Sequence, residues 1–404
     1  MKENSDEMVS SEADQAPSAS ESIPSNIRSI RDLIDTVTGR KIGDFTSGDA
    51  GFAEHWPFPF LALVGLKEMK LGLLLALINP NVGGVLLVGP RGTGKTTGVR
   101  GLIDLMPYIF ESQCYYGCLE EDVEFGGMEA LCPNCVEKFS RGEKLSNLRP
   151  AKLVELPLNS KIEDVLGTVD ERVTGHARLR VKRGILSHAD RNLLYVDEVN
   201  LLKDEVVDII LDASAQGSYT VRRGQFSATY RSRFTLVGTM NPEEGSLRPQ
   251  ILDRFGLRLF VKGLEDTSER YEAYKRAKAY LMNPKKIVDL YAEETMNARD
   301  EILAARELLP KVKIKKDIAH IGLSLIKKLE IASLRAEITM FEAARALAAA
   351  DKRTEVSFED LKQVVPMTLR LRRSAFIEKY FSDQEEEELD IIKNLRLISK
   401  EEST

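Results

Sequence analysis

Short apolar runs alternate with segments of helical period from about Phe58 to Gly263. Five of these runs are apolar almost throughout, which is typical of strands buried on both faces of a parallel sheet. They are GGVLLVG (83–89), KLVELPL (152–158), NLLYVDE (192–198), FTLVGTMN (234–241) and LRLFV (257–261). Helices are expected in most of the gaps between them. The pattern therefore predicts an α/β domain built on a five-stranded parallel sheet.

Two further patterns predict a hairpin and a helical C-terminal part. From Tyr219 to Phe234, polar and apolar side chains alternate around Gly224, as they do in a β-hairpin. Beyond about Gly263 the period is helical, and the segment FEAARALAAA (341–350) is rich in alanine. We therefore expect an all-helical domain after the sheet.

These changes along the chain divide it into parts. Residues 1–25 are polar, acidic and without periodicity, which predicts a disordered tail. The acidic stretch DQEEEELD (383–390) is expected to fray. The predicted parts are the acidic tail (1–25), an α/β domain (26–262) with an insertion at 111–150, linker helices (263–300) and a C-terminal helical domain (301–404).

The composition excludes several classes of protein. The chain has 63 acidic and 57 basic residues and a net charge of −6, which argues against a chain-wide electrostatic attraction to nucleic acid. Its apolar runs are far shorter than the roughly 20 residues of a membrane span. The acidic N-terminal segment is unlike a secretory signal or a plastid transit peptide, so we expect a cytoplasmic, bacterial protein.

The strongest chemical signal is a phosphate-binding loop. The sequence GPRGTGKT fits the pattern GxxxxGKT directly after the first predicted strand and before a helical stretch. Backbone N–H groups of such a loop surround phosphates, Lys95 reaches the β- and γ-phosphates, and the Thr96 hydroxyl binds Mg²⁺. The candidate nucleotide-binding residues are Gly89, Pro90, Arg91, Gly92, Thr93, Gly94, Lys95, Thr96 and Thr97.

Polar residues at the ends of two other predicted strands complete a candidate catalytic site. Asp197 and Glu198 end the run LLYVDE, where Asp197 would hold Mg²⁺ and Glu198 would polarise the attacking water. Asn241 ends the run FTLVGTMN and would orient that water. The alternatives are helix-capping acids for the pair, and a turn residue for an asparagine that precedes proline.

The order of these motifs resembles that of the AAA+ ATPases, in which a P-loop NTPase domain precedes a helical lid domain. More narrowly, several long segments are similar to the ATPase subunit of magnesium chelatase, its small I-type subunit. The segments are VGLKEMKLGLLLALINPNVGGVLLVGPRGTGKTT, LLYVDEVNLLKDEVVDIILD, VGTMNPEEGSLRPQILDRFG, SLRAEITMFEAARALAAA and VPMTLRLRR.

The resemblance implies a homo-oligomeric ring, usually a hexamer, with ATP and Mg²⁺ between neighbouring subunits. In that family the ring works with a second AAA+-containing subunit and with a large porphyrin-binding subunit. The complex inserts Mg²⁺ into protoporphyrin IX in chlorophyll and bacteriochlorophyll biosynthesis. The porphyrin chemistry itself is not expected in this chain.

The resemblance also implies roles for arginines. Arg254 in LDRFG matches the finger that reaches the neighbour's γ-phosphate, and Arg335 in SLRAE matches the sensor arginine of the helical domain. Arg248 is a second finger candidate, and the sequence does not decide between it and Arg254. The segments 169–184 and 219–234 fall where this family carries insertions that face the pore or partners. Solvated basic loops are the alternative there.

Other functions share parts of this pattern. A cobalt-chelatase-like or MoxR-like AAA+ ATPase, which remodels another metalloprotein, would have the same nucleotide site. A nucleic-acid-dependent ATPase with a zinc ribbon belongs to another class, and the acidic balance argues against it. An inactive scaffold conflicts with the joint presence of Lys95, Thr96, Asp197, Glu198, Asn241 and Arg254.

The four cysteines of the chain form a pattern of their own. Cys114 and Cys118 make a CxxxC pair, Cys132 and Cys135 make a CxxC pair, and thirteen residues separate the two pairs. Two such turns can supply four thiolates to a structural Zn²⁺ ion. Four thiolates leave no open position, which argues against a catalytic metal. A redox-active pair and simple buried thiols are the alternatives.

Overall fold

The computed structural model describes residues 56–114, 116–170, 180–223 and 226–372. The predicted acidic tail (1–25) and the acidic stretch at 383–390 lie outside these residues. The strands of the described part are, in chain order, β1 (Val85–Val88), β2 (Ile109–Ser112), β3 (Ser146–Arg149), β4 (Leu153–Leu156), β5 (Gly167–Asp170), β6 (Arg180–Arg183), β7 (Leu193–Val196), β8 (Ser218–Arg223), β9 (Phe226–Arg231), β10 (Thr235–Met240) and β11 (Leu257–Phe260).

Helices occupy much of the remaining described chain. They are α1 (Lys67–Ile78), α2 (Lys95–Leu102), α3 (Glu121–Gly126), α4 (Pro133–Ser140), α5 (Ile162–Leu166), α6 (Ile185–Ala189), α7 (Asp204–Gln216), α8 (Pro249–Arg254), α9 (Thr267–Met282), α10 (Pro284–Leu290), α11 (Ala292–Leu308), α12 (Lys316–Lys328), α13 (Leu334–Ala350) and α14 (Phe358–Leu369). As far as the chain is described, helices and no further strands follow β11, as predicted for the lid.

Five strands form one parallel sheet in the order β11-β1-β10-β7-β4. Val85 on β1 lies opposite Val237 on β10 and Leu257 on β11, while β7 pairs with both β10 and β4. The predicted five-stranded parallel sheet is confirmed, and each of its strands comes from one of the five apolar runs. Because parallel strands end at the same edge, the residues that follow β1, β7 and β10 lie close together.

Both faces of the sheet are covered, which explains why its strands are apolar throughout. Successive side chains of a strand point to opposite faces. Val85 and Leu87 accordingly belong to a core shared with α1 and the C-terminal helices, whereas Leu86 and Val88 belong to a core shared with α7. All four side chains are at most 5% exposed. The arrangement is a three-layer α/β/α domain.

Three antiparallel strand pairs lie outside the central sheet: β2 with β3, β5 with β6, and β8 with β9. In the pair β8–β9, Tyr219 lies opposite Tyr230, and their stacked rings are 5.6 Å apart. This pairing confirms the hairpin predicted within residues 219–234. Of the predicted insertion at 169–184, residues 171–179 lie outside the described part.

The alanine-rich segment forms the central helix of the lid. α13 contributes nine buried residues, six of which are alanines. Small side chains let neighbouring helices approach closely, and α13 packs against α1, α11, α12 and α14. α11 runs through residue 300, so the boundary between linker helices and C-terminal domain remains a prediction. No helix of the described residues is both long and apolar enough to span a membrane.

Buried arginines hold the lid against the last strand of the sheet. Arg258 on β11 is fully buried, and its guanidinium donates hydrogen bonds to the carbonyl oxygens of Leu252 and Arg370 at 2.9 and 2.7 Å. Arg372 donates to the Asp253 carboxylate at 2.6 Å. Burial, followed by the charge of Arg372, lowers the pKa of Arg258 to about 9. These buried charges are stabilised by the oxygen acceptors around them.

Candidate functional site

The phosphate loop connects β1 to α2, which begins at Lys95. The φ angles of Gly92 and Gly94 are +75° and +87°, a left-handed conformation that glycine adopts without a steric cost. A Cβ atom at Gly89 would lie 2.1 Å from the carbonyl oxygen of Val261. The glycines of the motif are therefore required by the backbone path, and the N-terminus of α2 adds positive potential beside the loop.

A cavity of about 300 Å³ adjoins this loop, and we call it the phosphate cavity. It is lined by residues of the loop and of the ends of β7 and β10: Arg91, Gly92, Thr93, Gly94, Lys95, Thr96, Thr97, Asp197, Glu198, Thr239, Met240 and Asn241. Candidate residues from three separate parts of the sequence thus lie in one place. Of the candidate nucleotide-binding residues, Gly89 and Pro90 do not line it.

The side-chain amine of Lys95 is held against the phosphate loop by Gly89 and Pro90, the two residues that do not line the cavity. Its Nζ atom donates hydrogen bonds to the carbonyl oxygens of Gly89 and Pro90, both at 2.7 Å. Burial lowers the pKa of Lys95, while three nearby carboxylates act in the opposite direction. The Lys95 amine is therefore held by two carbonyl oxygens, and the oxygens of a bound phosphate can take their place as acceptors.

One tyrosine hydroxyl joins the two candidate magnesium ligands. The Tyr195 hydroxyl donates to Asp197 Oδ1 at 2.7 Å and accepts from the Thr96 hydroxyl at 3.0 Å. Thr239 Oγ1 donates to the same Asp197 oxygen at 2.5 Å. Tyr195 is 2% exposed, and burial raises the pKa of its hydroxyl, which therefore keeps its proton. The oxygens of Thr96 and Asp197 are positioned by this network.

Sequence reasoning missed Tyr195 and Thr239, although a signal was present. Each is a hydroxyl residue within a largely apolar run, two positions before a candidate site residue, Asp197 or Asn241. Residues two apart in a strand point to the same face. In this structure the Tyr195 hydroxyl contacts the carboxylate of its own strand end, Asp197, and the Thr239 hydroxyl contacts that same carboxylate from the neighbouring strand.

The backbone of Glu198 is in an unusual conformation. Its φ angle is +48°, which is uncommon for a residue other than glycine and is found preferentially at functional sites. Its N–H group donates to Thr239 Oγ1 at 2.9 Å. Its carboxylate lies 3.4 Å from Arg91, which also forms an ion pair with Glu244. The carboxylate thus lies beside the phosphate loop with a cation next to it.

Asn241 is both a turn residue and a residue of the candidate site, the two roles that its sequence context allowed. Its side-chain oxygen accepts a hydrogen bond from the Glu243 N–H at 3.3 Å and caps the 3-10 turn Pro242–Glu244. It also lines the phosphate cavity and is 3% exposed. The turn therefore fixes the orientation of the amide at the edge of the cavity.

A second cavity, of about 440 Å³, lies on the other side of the phosphate loop, and we call it the apolar cavity. Its lining combines Gly92, Thr93, Gly94 and Thr97 with a largely aliphatic wall. The remaining lining residues are Phe58, Ala62, Leu63, Val64, Leu66, Gly263, Leu264, Arg270, Ala273, Arg276 and Ala277. Sequence reasoning missed this wall, because its residues come from the segment before α1, from the stretch between β11 and α9, and from α9 itself, and none of them belongs to a phosphate-binding or catalytic motif.

The three candidate arginines line neither cavity. They lie instead beside carboxylates of α7 and α8. The pairs are Arg254 with Asp208 and Asp212 at 3.2 and 2.8 Å, Arg248 with Asp204, and Arg335 with Asp253 at 3.8 Å. The side chains of Arg248 and Arg335 are 69% and 52% exposed, and that of Arg254 is 27% exposed.

The four cysteines lie together in the insertion at 111–150, outside both cavities. Their sulfur atoms are all within 4.8 Å of one another. Cys118 and Cys135 are buried, and Cys114 and Cys132 are half-buried. Hydrogen bonding with the Cys118 thiol lowers the pKa of Cys114 to about 4. The two pairs predicted from the spacing thus form one cluster.

Comparisons with known proteins give consistent similarities. The family model for magnesium chelatase, subunit ChlI, matches residues 168–258, and that for the AAA lid domain matches residues 324–392. A magnesium-chelatase subunit ChlI homolog of Methanocaldococcus jannaschii is 42% identical over 323 residues, 79% of this chain and 87% of that protein. The magnesium-chelatase 38 kDa subunit of Rhodobacter capsulatus is 40% identical over 323 residues, 78% of this chain and 88% of that protein. A solved structure from Cytophaga hutchinsonii, 20% identical, shares the fold with a TM-score of 0.51 over 78% of this chain and 84% of that chain.

Proposed function

This chain belongs to the family of the magnesium chelatase subunit ChlI and is an AAA+ ATPase subunit, and on this premise we propose that it acts as the motor of a magnesium chelatase. In the proposal, rings of this chain hydrolyse ATP and drive partner subunits to insert Mg²⁺ into protoporphyrin IX. The observation that best supports the motor is the single cavity in which Asp197, Glu198 and Asn241 adjoin the phosphate loop.

The two cavities fit the two ends of an ATP molecule. Gly92, Thr93, Gly94 and Thr97 line both of them. The phosphate cavity contains charged and hydroxyl side chains, whereas the wall of the apolar cavity is mostly aliphatic. In the proposal, the triphosphate lies in the phosphate cavity and adenine lies in the apolar cavity, where its flat ring packs against apolar side chains.

The donor set around Tyr195 fits a magnesium ion. Mg²⁺ takes oxygen ligands, and the Thr96 hydroxyl and the Asp197 carboxylate are held on the same tyrosine hydroxyl. These two residues would hold the ion, which when bound with ATP offsets charge on the phosphates. Lys95 adds a positive charge from the loop itself.

Glu198 is the proposed general base. Its carboxylate would accept a proton from the attacking water, which Asn241 would orient. The left-handed backbone and the hydrogen bond from its N–H to Thr239 hold the residue in place. Arg91 lies 3.4 Å from the carboxylate, and because this arginine is 70% exposed it can leave when phosphates enter.

The arginines support a ring in which neighbouring subunits share a site. Neither Arg254 nor Arg335 lines the cavities of its own chain, and both reach the surface. In the proposed hexamer, the guanidinium of Arg254 contacts the γ-phosphate held by the next subunit. Arg335, on the lid, adds a second positive charge that stabilises the transition state. Developing charge in phosphoryl transfer is stabilised in this way.

The proposed partners are those of the family. A second AAA+-containing subunit and a large porphyrin-binding subunit would complete the enzyme, and neither membrane nor nucleic acid is expected to take part. The proposed location is the bacterial cytoplasm. The segments 169–184 and 219–234 are the proposed contact regions for partners.

The test is MgATP-dependent insertion of Mg²⁺ into protoporphyrin IX, followed by fluorescence of the product. The reaction contains this chain with the two other chelatase subunits, and reactions without this chain or without ATP are the controls. We expect insertion only when all three proteins and ATP are present. ATP hydrolysis without insertion, in the presence of partners shown to be active with a known ATPase subunit, would contradict the chelatase proposal and leave the motor with a different client.

Replacing Tyr195 by phenylalanine tests the magnesium-binding network. Loss of a hydrogen bond to a carboxylate costs about 1.5 kcal/mol or more, so half-maximal hydrolysis should need about tenfold more Mg²⁺. The measurement is ATPase rate against Mg²⁺ concentration, with Tyr274→Phe on the exposed side of α9 as the control. An unchanged Mg²⁺ dependence in Tyr195→Phe would remove the tyrosine from metal positioning.

Replacing Ala273 by tryptophan tests the proposed adenine site. The indole would fill the apolar cavity, so we expect the affinity for ATP to fall about tenfold or more, with the phosphate loop intact. Calorimetric titration with ATP and with inorganic triphosphate separates the two ends, because triphosphate affinity should persist. Ala292→Trp, at an exposed position of α11, is the matched control. Equal ATP affinity in both variants would place adenine elsewhere.

A further inference from the structure

The four cysteines converge from two separate turns of the insertion. Cys114 and Cys118 lie in the turn after β2, while Cys132 and Cys135 lie at and just inside the N-terminus of α4. These are all the cysteines of the chain, and their sulfur atoms lie within 4.8 Å of one another. None of the four cysteines lines the phosphate cavity or the apolar cavity, so the cluster needs a separate explanation.

The dimensions and surroundings of the cluster fit a tetrahedral metal site. Zinc–sulfur bonds of about 2.3 Å place the four sulfur atoms about 3.8 Å apart, so a small contraction suffices. Backbone N–H groups already point at sulfur: those of Tyr116 and Cys118 donate to Cys114 Sγ at 3.2 and 3.3 Å, and that of Cys132 donates to Cys118 Sγ at 3.3 Å. Such outer donors stabilise thiolate ligands.

The buried core of the insertion is small. It consists of Leu131 and Leu145 with the two buried cysteines, Cys118 and Cys135, and the partly buried side chains of Val123, Val136 and Phe139 pack against it. A segment of about this size rarely buries enough apolar surface to fold without a metal or disulfides. The cysteines therefore form a large part of the core of the insertion and are also placed as a set of metal ligands.

We propose that Cys114, Cys118, Cys132 and Cys135 bind one structural zinc ion. Four thiolates complete the tetrahedron, so no position is left for a substrate or a water molecule. The site is independent of ATP hydrolysis, and its loading requires only deprotonation of the thiols, with no oxidant or reductant.

The zinc-bound turns are attached to other parts of the α/β domain. Asp122, which is 3% exposed, forms an ion pair with Arg231 on β9. The neighbouring Glu121 forms an ion pair with Arg191 before β7. Arg183 on β6 also donates to the Cys114 carbonyl oxygen at 2.6 Å. Zinc would thus hold the start of α3, to which the β8–β9 hairpin is attached through the ion pair of Asp122 and Arg231.

The first experiment is metal analysis of the full-length protein by plasma mass spectrometry. We expect about one zinc per chain in the wild type. Cys132→Ser should lose zinc, whereas Cys132→His should retain it, because a Cys3His set also binds zinc tetrahedrally. Glu129→Gln, at an exposed position between the two cysteine pairs, should retain full zinc content.

A second measurement on the wild type guards against misfolded variants. Titrating the thiols with an organomercurial in the presence of a zinc indicator should release one equivalent of zinc as four thiols react. Zinc-free protein with four free thiols, protein with two disulfides, or protein that contains iron instead of zinc would each overturn the proposal.

Hydrogen exchange tests the structural role of the ion. Removing zinc with a chelator should raise amide exchange at least about tenfold in residues 113–145 and in the β8–β9 hairpin, since local protection depends on the contacts that are lost. Exchange in β1 and β10 should stay the same. Unchanged exchange in the insertion after verified zinc loss would contradict the role as a structural site.

Discussion

Glu198→Gln is expected to lower kcat for ATP hydrolysis by about 10²- to 10⁴-fold while ATP still binds. The amide keeps the size of the side chain and the hydrogen bond from the backbone N–H to Thr239, but it cannot accept the proton of the attacking water. The measurements are steady-state ATPase activity and calorimetric ATP affinity. Magnesium insertion should fall with hydrolysis, because the proposed motor has no other energy source.

Glu243→Gln provides the matched control for this variant. Glu243 is exposed, lies near the same edge of the sheet and does not line either cavity, so its loss of charge should leave hydrolysis unchanged. A normal rate in Glu198→Gln would remove this residue from the mechanism. A similar fall in both variants would indicate that the electrostatic field, rather than proton transfer, is responsible.

Arg254→Ala is expected to lower ATP hydrolysis by about 10³-fold or more, the usual effect of removing an arginine finger. ATP affinity of the isolated chain should hardly change, since Arg254 lines neither cavity of its own chain. Mixing the variant with wild-type protein should lower activity by more than its share of subunits, because each variant subunit impairs the site of its neighbour. The measurement is ATPase rate against mixing ratio.

Two further variants separate the finger role from a structural one. Asp212→Asn removes the ion-pair partner that lies 2.8 Å from Arg254 and leaves the arginine in place, so hydrolysis should persist. Arg248→Ala tests the other finger candidate. A strict proportionality between activity and the wild-type fraction in Arg254 mixtures, together with inactivity of Arg248→Ala, would assign the finger to Arg248.

The strands and the phosphate loop were predictable because they depend on local sequence. The run FTLVGTMN (234–241) predicts a buried strand, and β10 spans Thr235–Met240. The spacing of Gly89, Gly94 and Lys95 is compatible with few backbone conformations, because a strand, a tight loop and a helix N-terminus must follow one another. The spacing of the cysteines likewise anticipated their convergence. In each case the relevant atoms lie within a short stretch of chain.

The apolar cavity and the arginines of the lid were not predictable in the same way. The apolar cavity joins Leu63, before α1, to Ala273 on α9, residues more than two hundred positions apart and without a motif. Arg370 and Arg372 belong to the segment VPMTLRLRR, but the sequence assigned neither of them a role. They become structural because β11 and the end of α14 meet, where the Arg370 guanidinium donates to the Arg258 carbonyl oxygen at 3.2 Å and Arg372 donates to the Asp253 carboxylate.

The sequence by itself determined the fold class, the phosphate loop, the strand-end acids and the cysteine pairs, because periodicity and short spacings encode local geometry. Only the tertiary structure decided that Tyr195 joins Thr96 to Asp197, and that Arg254 and Arg335 line neither the phosphate cavity nor the apolar cavity of their own chain. The strand order β1-β10-β7 places these groups side by side, and this order arises from the packing of distant segments. Contacts between distant segments depend on the burial of the whole core, which no short pattern contains.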